Sequence, residues 1–378
     1  MTALNVGLVG CGMIRRQYLQ ACGESSWLNL VACADLQKDR AESACAEVKE
    51  NGWGDPRPCD FEEMLSDDGV DLVMNITNPK AHYPLNMKAL EAGKHVHAEK
   101  PLCLTREEGR KLLAAAKANK VRLGCAPDTF LGAGHQTARA LVDSGTIGTP
   151  TAGTLFFMGA GPDGFHEFPE LFFQAGAGPL FDVGVYTLTM AVNLLGPVVR
   201  VMGMTKKTFE ERKNMKETSP GFGKMFKVDV PTHVTGLLEF SGGVLVTFVT
   251  SFDIKGGHRL PFMELYGTEG TLVTANPNKF VDTVTLRQVK GDSREWVEQD
   301  MTHGYGGACR GIGAADIAAA LAEGRAHRAS GELAYHVLDV GLALYESAER
   351  GEAVAIESTV ERPGAFPAGV TPDIGKDG

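Results

Sequence analysis

Short apolar runs alternate with helix-period segments through the first 125 residues. Residues 5–9, 28–34, 70–76 and 95–98 read as buried strands, and segments near 13–22, 38–50 and 80–92 carry helical spacing between them. A further helix follows Thr105, whose hydroxyl forms a capping box with Glu108 three residues on. Strict alternation of strand and helix predicts a parallel sheet with right-handed crossovers and both faces covered. Beyond about residue 150 the period changes. The β-rich runs 234–240 and 244–250 flank Ser241-Gly242-Gly243, and 262–266 and 271–274 flank Gly267-Thr268-Glu269-Gly270, which predicts two antiparallel hairpins. Leu333, Val337, Val340, Leu344 and Ala348 share one face of a helix that Gly351 closes. This half reads as an open antiparallel sheet with helices on one face. The stretch 159–179, rich in Gly, Pro and aromatics, is too long for a turn and reads as a substrate loop.

Composition narrows the function classes. At ~100–200 residues per domain, 378 residues imply two domains. With 37 Lys+Arg against 47 Asp+Glu, the net charge of −10 and the lack of any basic run argue against nucleic acid or anionic membrane as partners. The eight cysteines, at 11, 22, 33, 45, 59, 103, 125 and 309, show neither a CxxC pair nor metal-ligand spacing. They read as thiols of a reducing compartment, not as disulfides or a zinc site. No run reaches the ~18 apolar residues of a membrane span, and the first apolar segment lacks a basic flank, so a cytoplasmic protein is expected.

Candidate chemistry begins at the first strand-to-helix turn. Gly10 allows the tight turn and Gly12 lets the backbone approach a pyrophosphate. The helix start at Met13 and Ile14 offers N–H groups to its charge. Arg15 stands where a third glycine is usual. Asp35, 23 residues beyond Gly12 and just after the second strand, suits ribose hydroxyls and repels a 2′-phosphate, which favours NAD over NADP. Lys38 and Arg40 nearby keep NADP as the less favoured choice. Glu99-Lys100-Pro101 ends a strand at the ligand-binding edge of the sheet, where a lysine can polarise a substrate oxygen and pass a proton. Thr77-Asn78-Pro79 with His82 follows the third strand and faces the same cofactor.

Taken together, Val9-Gly10-Cys11-Gly12, Thr77-Asn78-Pro79 with His82, Ala98-Glu99-Lys100-Pro101-Leu102 and the run from Gly178 to Tyr186 resemble the Gfo/Idh/MocA family of oxidoreductases. The resemblance extends over nearly the whole chain. It implies a Rossmann NAD-binding domain over 1–125, an α+β substrate-binding and oligomerisation domain with a large, mostly antiparallel sheet over 126–365, and a surface tail over 366–378. It also implies nicotinamide-dependent redox chemistry on sugars or polyols. By the same resemblance Lys100 lies near the reacting oxygen and Asp182 matches the aspartate of an Asp-x-x-x-His pair. Tyr186 occupies the histidine position. One helix face carries both, and the Lys100 ammonium is expected to lower the Tyr186 phenol from its usual ~10. Asp128 and Thr129 match a segment beneath the nicotinamide, without the arginine frequent there, and His166 from the long loop is a candidate for sugar hydroxyls. Tyr305 and Arg310 flank a glycine cluster placed to close over the site, although an arginine there also reads as a surface ion-pair partner. Glu332 and His336 lie one helical turn apart with no third ligand, so no metal is expected.

The leading expectation is an NAD-dependent dehydrogenase acting on a secondary alcohol of a cyclic sugar, glycoside or inositol. The alternative keeps the cofactor but oxidises, eliminates and re-reduces, giving a glycosidase without net redox change. A third reading is a non-catalytic sugar-binding protein. The alternating run 244–248 on an open sheet predicts a homo-oligomer, a dimer or tetramer.

Overall fold

The computed structural model describes residues 3–289, 295–307 and 310–369. Strands β1 (Leu4–Val9), β2 (Leu28–Ala34), β3 (Arg57–Pro58), β4 (Leu72–Asn75), β5 (His95–Ala98) and β6 (Leu123–Cys125) form one parallel sheet in the order β3-β2-β1-β4-β5-β6. Helices α1 (Arg15–Glu24), α2 (Lys38–Glu50), α3 (Phe61–Ser66), α4 (Pro79–Glu91) and α5 (Arg106–Asn119) make the crossovers. Strand β4 is shorter than its apolar run because Val70 donates its N–H to the Asp67 carbonyl in a turn. The capping box forms at α5, with Thr105 Oγ1 accepting the Glu108 N–H and Glu108 Oε2 accepting the Thr105 N–H, both at 3.1 Å. Strand order reverses between β1 and β4, so the loops after these strands part at their carboxyl ends and leave a crevice there.

The rest of the chain comprises α6 (Ala133–Asp143), β7 (Pro150–Met158), α7 (Val185–Leu195), β8 (Val198–Lys206), a small hairpin of β9 (Glu211–Lys213) and β10 (Met225–Lys227), then β11 (His233–Phe240), β12 (Leu245–Ser251), β13 (Met263–Gly267), β14 (Gly270–Val273), β15 (Thr285–Gln288) and β16 (Val297–Glu298). Helices α8 (Ile312–Glu323) and α9 (Gly331–Arg350) and strand β17 (Val354–Ala355) complete it. Nine strands pair in the order β16-β15-β14-β13-β7-β12-β11-β8-β17. Every neighbouring pair is antiparallel except β7 with β12. Both expected hairpins are present, as β11/β12 and β13/β14.

Helix α9 buries Leu333, Val337, Val340 and Leu344 and ends at Gly351 with φ +70°. It crosses the sheet where Gly203 pairs with Gly236, since a Cβ on Gly203 would lie 2.5 Å from the Leu344 carbonyl oxygen. The other sheet face has no helix on it among the described residues. There Met202, Met204, Leu237 and Leu245 are 49–71% exposed.

Chain from beyond residue 125 also enters the first core. Ala314, Ala315, Ile317 and Ala318 of α8 pack with Val6, Leu8 and Leu30. Phe366, the first residue of the expected tail, is buried beneath the Arg328 guanidinium and donates its N–H to Gln136 Oε1. Residues 370–378 of that tail lie outside the described residues. The long loop folds into short turns at Pro162–Gly164 and Pro169–Phe173, then one wide helical turn, Leu180–Gly184, that continues into α7. Buried Arg212 fastens this loop to the small hairpin. Its Nε lies 2.9 Å from Asp163 Oδ2 and its guanidinium covers the Phe173 ring at 4.9 Å.

Candidate active site

The crevice begins at the turn after β1. Gly10 has φ +96°, and a Cβ there would meet Thr77 Cγ2 at 2.8 Å, so only glycine lets the β1 and β4 loops approach this closely. A Cβ on Gly12 would meet nothing within 4 Å, which leaves a backbone-lined cradle at the start of α1. No side chain caps that helix start, so its N–H groups can take a phosphate. Asp35 closes the far side. Its Oδ2 accepts the Cys11 N–H at 2.7 Å and its Oδ1 the Gln37 N–H at 2.9 Å. A carboxylate has about four acceptor positions, so two remain for ribose hydroxyls. Arg15 leaves the strand–helix seam for α2, with Nε 3.0 Å from Glu47 Oε2, which explains why a third glycine is dispensable. These features fit a dinucleotide.

Lys100 leaves the end of β5 and reaches across to the wide turn before α7. Its Nζ donates to Asp182 Oδ1 at 2.7 Å and to the Asp182 carbonyl at 2.9 Å, and lies 5.4 Å from the Tyr186 ring centroid. Arg310 Cζ is 5.3 Å from the same centroid. Below them Glu99 points inward, with Oε1 accepting the Tyr18 hydroxyl at 2.6 Å and Oε2 the Lys100 N–H at 3.0 Å. Burial would lower the Lys100 pKa, but Asp182, Tyr186 and Glu99 outweigh it and hold the ammonium above its ordinary value. Burial would raise Glu99, yet Lys100, Arg310 and the Tyr18 hydroxyl keep its carboxyl below the usual range. For Tyr186 burial wins: its phenol is raised, although Lys100 and Arg310 both pull it down. The expected lowering of Tyr186 is therefore corrected, because the cost of a buried phenolate exceeds the attraction of two nearby cations.

Residues 4–126 match the family model of an oxidoreductase family with an NAD-binding Rossmann fold, and residues 135–273 match the GFO/IDH/MocA C-terminal domain. The chain belongs to the Gfo/Idh/MocA oxidoreductase family. It is 29% identical to a 1,5-anhydro-D-fructose reductase of Ensifer adhaerens over 93% of this chain and 98% of that protein. It is also 30% identical to the D-glucoside 3-dehydrogenase of Escherichia coli, over 67% of this chain and 71% of that protein. The solved structure of a levoglucosan dehydrogenase in complex with NADH superposes with a TM-score of 0.80 at 22% identity, covering 94% of this chain and 100% of that one. As a Gfo/Idh/MocA oxidoreductase, this protein is an NAD-binding enzyme.

Lys100, Asp182 and Tyr186 come together between the end of β5 and the start of α7, and Gly10, Gly12, Met13, Ile14 and Asp35 lie at the turn after β1 and the end of β2. Met13 is 61% exposed at the mouth of the cradle. Asn78 is exposed at the start of α4, and Thr77 turns its hydroxyl inward to Asn75 Oδ1, presenting backbone to the crevice. Other expectations need correction. His82 is fully buried between the Pro101 and Thr77 carbonyls, Nδ1 at 2.6 Å and Nε2 at 3.0 Å, so it clamps two cofactor-side loops together instead of touching cofactor. Glu99 is likewise turned away beneath Lys100. Asp128 is 0% exposed, and its Oδ2 accepts the N–H groups of Gly311 and Gly313 at the start of α8. Thr129 donates to the Pro277 carbonyl. Both side chains are buried between packed segments, with Asp128 Oδ1 left without a hydrogen-bond partner among the described residues.

His166 is half-buried, with Nδ1 accepting the Phe168 N–H, which leaves the Nε2–H of the neutral ring as a donor. Burial holds it below its ordinary pKa against the pull of Asp182. His336 is tied to the Val198 N–H and Ser358, and no cluster of three or more His, Cys, Asp or Glu able to hold a metal occurs among the described residues. Sequence reading missed Tyr18, a helix residue with no motif around it, and Asn278, whose Oδ1 accepts from Arg310 at 2.6 Å. No local pattern marks either one.

Proposed function

We propose that this enzyme moves hydride between NAD and a secondary alcohol carbon of a cyclic sugar, glycoside or inositol, with Lys100, Asp182 and Tyr186 handling the proton. The observation that carries this reading is the meeting of the Lys100 ammonium and the Tyr186 phenol in one cleft beside the dinucleotide turn. The bound nicotinamide supplies the hydride donor or acceptor. When a carbonyl becomes an alcohol its oxygen gains one proton, and the Tyr186 phenol is the donor we assign. Lys100 polarises the same oxygen and Asp182 fixes where its ammonium sits. In the opposite direction Tyr186 must first lose its own proton to solvent, and the alcohol proton then passes to the phenolate oxygen. Both groups rest protonated, so near neutral pH the cleft is in its proton-donating form and favours reduction. The sugar class is supported by the reductase and dehydrogenase relatives, and His166 is the group we assign to a substrate hydroxyl.

The test is turnover with NAD and NADH across a panel of cyclic sugars, their keto forms, glycosides and inositols. Cofactor absorbance should change with at least one member. Release of phenol from an aryl glycoside without net NADH would favour elimination chemistry instead, and silence across the panel in a protein that binds NADH would overturn the reading.

The uncovered sheet face supports a homo-oligomer, since Met202, Met204, Leu237 and Leu245 form an apolar patch that a second copy can cover. Light scattering should report a dimer or tetramer at micromolar concentration, and a monomer would refute it. The seven described cysteines are all free, which supports a cytoplasmic enzyme. Among the described residues no helix is long and apolar enough to cross a membrane.

A further inference from the structure

Arg310 is a poor surface arginine. No carboxylate lies within ion-pairing distance of it among the described residues, where an exposed arginine would usually find one. Of its five donors, one Nη2–H is held by Asn278 Oδ1 at 2.6 Å, while Nη1 is buried without a hydrogen-bond partner among the described residues. Instead the guanidinium faces the Tyr186 ring, 5.3 Å from the centroid that the Lys100 ammonium approaches at 5.4 Å. The loop that aims it is fixed in turn. Thr129 donates to Pro277, and His135 Nε2 lies 2.9 Å from the Lys279 carbonyl, so Asn278 is held between two anchored neighbours.

The two cations do not act alike on the phenol. Lys100 pulls hardest on the Tyr186 phenol, but it is paired with Asp182 at 2.7 Å, and that carboxylate offsets part of its pull. Among the described residues Arg310 has no such partner. The charged groups that face Tyr186 are Lys100 and Glu99 from the loop after β5, Asp182 from the turn before α7, and Arg310 from the segment before α8. Two positive and two negative charges nearly balance, and Arg310 is the cation left uncompensated by a direct ion pair. We propose that Arg310 is a positioning residue for the reaction, holding the Tyr186 ring beside Lys100 and stabilising the negatively charged Tyr186 phenolate that then takes up the substrate's proton. Neither family model reaches this residue. The inference rests on the reading of Tyr186 as proton carrier.

The test uses the full chain labelled with 3-fluorotyrosine, which brings phenol titration into a range where the fold survives. One of the seven tyrosine fluorine resonances is assigned to position 186 by its loss in Tyr186→Phe. In Arg310→Met that resonance should titrate about one pH unit higher than in wild type. Arg310→Lys, which keeps the charge but not the fork, should restore most of the wild-type value. Asn278→Ala should shift it in the same direction by less, and provides the measurement if Arg310→Met does not fold. A Tyr186 resonance that titrates at the wild-type pH in the folded Arg310→Met or Asn278→Ala protein would overturn the inference, since a merely structural arginine leaves that titration in place. If Tyr186→Phe instead turns over sugars at the wild-type rate, the reading of Tyr186 as proton carrier fails, a separate outcome from the titration.

Discussion

The dinucleotide turn is made almost entirely of backbone. Gly10, Gly12 and the uncapped start of α1 present N–H groups and empty space, and one carboxylate, Asp35, closes the ring. The proposed proton site beside it is made of side chains drawn from separate segments: Lys100 after β5, Asp182 and Tyr186 at the start of α7, and Arg310 before α8. A backbone site needs only a few neighbouring residues of the right conformation. A side-chain site needs burial, charge pairing and orientation from distant parts of the fold, and each partner changes the behaviour of the others. The two regions should therefore fail independently when altered, the first losing cofactor and the second losing chemistry.

Lys100→Met should separate them most sharply. Turnover is expected to fall ~10²–10⁴-fold, the range typical of acid–base groups, while calorimetry finds NADH binding unchanged. A parallel loss of NADH affinity would show that the halves are not separable. The converse is Gly12→Val, which fills the cradle from a Cβ that meets no other atom within 4 Å. Its NADH dissociation constant should rise roughly 100-fold, about 2.7 kcal/mol, with no change in melting temperature. Acid–base behaviour gives the next contrast. Because Tyr186 and Lys100 are both held above their ordinary values, they stay protonated through neutral pH. NADH-dependent reduction should be flat there, whereas oxidation, which needs the proton removed, should climb by up to ~tenfold per pH unit on the alkaline side. An oxidation rate that peaks below neutrality would break this assignment.

Asp35→Asn sharpens the cofactor side. It removes the charge that repels a 2′-phosphate, so the preference for NAD over NADP should shrink by about tenfold, read as the ratio of the two kcat/KM values. His166→Ala should be the mildest change, raising KM for the sugar a few-fold with kcat little affected, as expected of a single hydrogen bond worth ~1 kcal/mol. A fall in kcat instead would move His166 into the proton relay.

The contrast also explains what could be read from the residue order alone. The parallel sheet, its helices and both hairpins follow from local periodicity, and the Gly10–Gly12–Asp35 set lies within one strand–helix–strand unit whose spacing is part of the fold. Motifs mark Lys100, Asp182 and Tyr186, and the fold brings the three together. Their electrostatics were not legible, since the direction of the Tyr186 shift depends on how deeply the phenol is buried among groups up to 124 positions away. Asp128, Thr129 and His82 sit in motif positions, yet they fold inward because α8 and the Pro101 and Pro277 loops need their hydrogen bonds. Arg310 and Asn278 meet only after the second half of the chain has folded back on the first.

The most direct test is the turnover number of Tyr186→Phe, measured on protein shown in the same preparation to bind NADH as wild type does. The expected result is a fall of ~10²–10⁴-fold with cofactor affinity intact. A phenylalanine variant within tenfold of the wild-type rate would contradict the placement of the reaction's proton on this phenol.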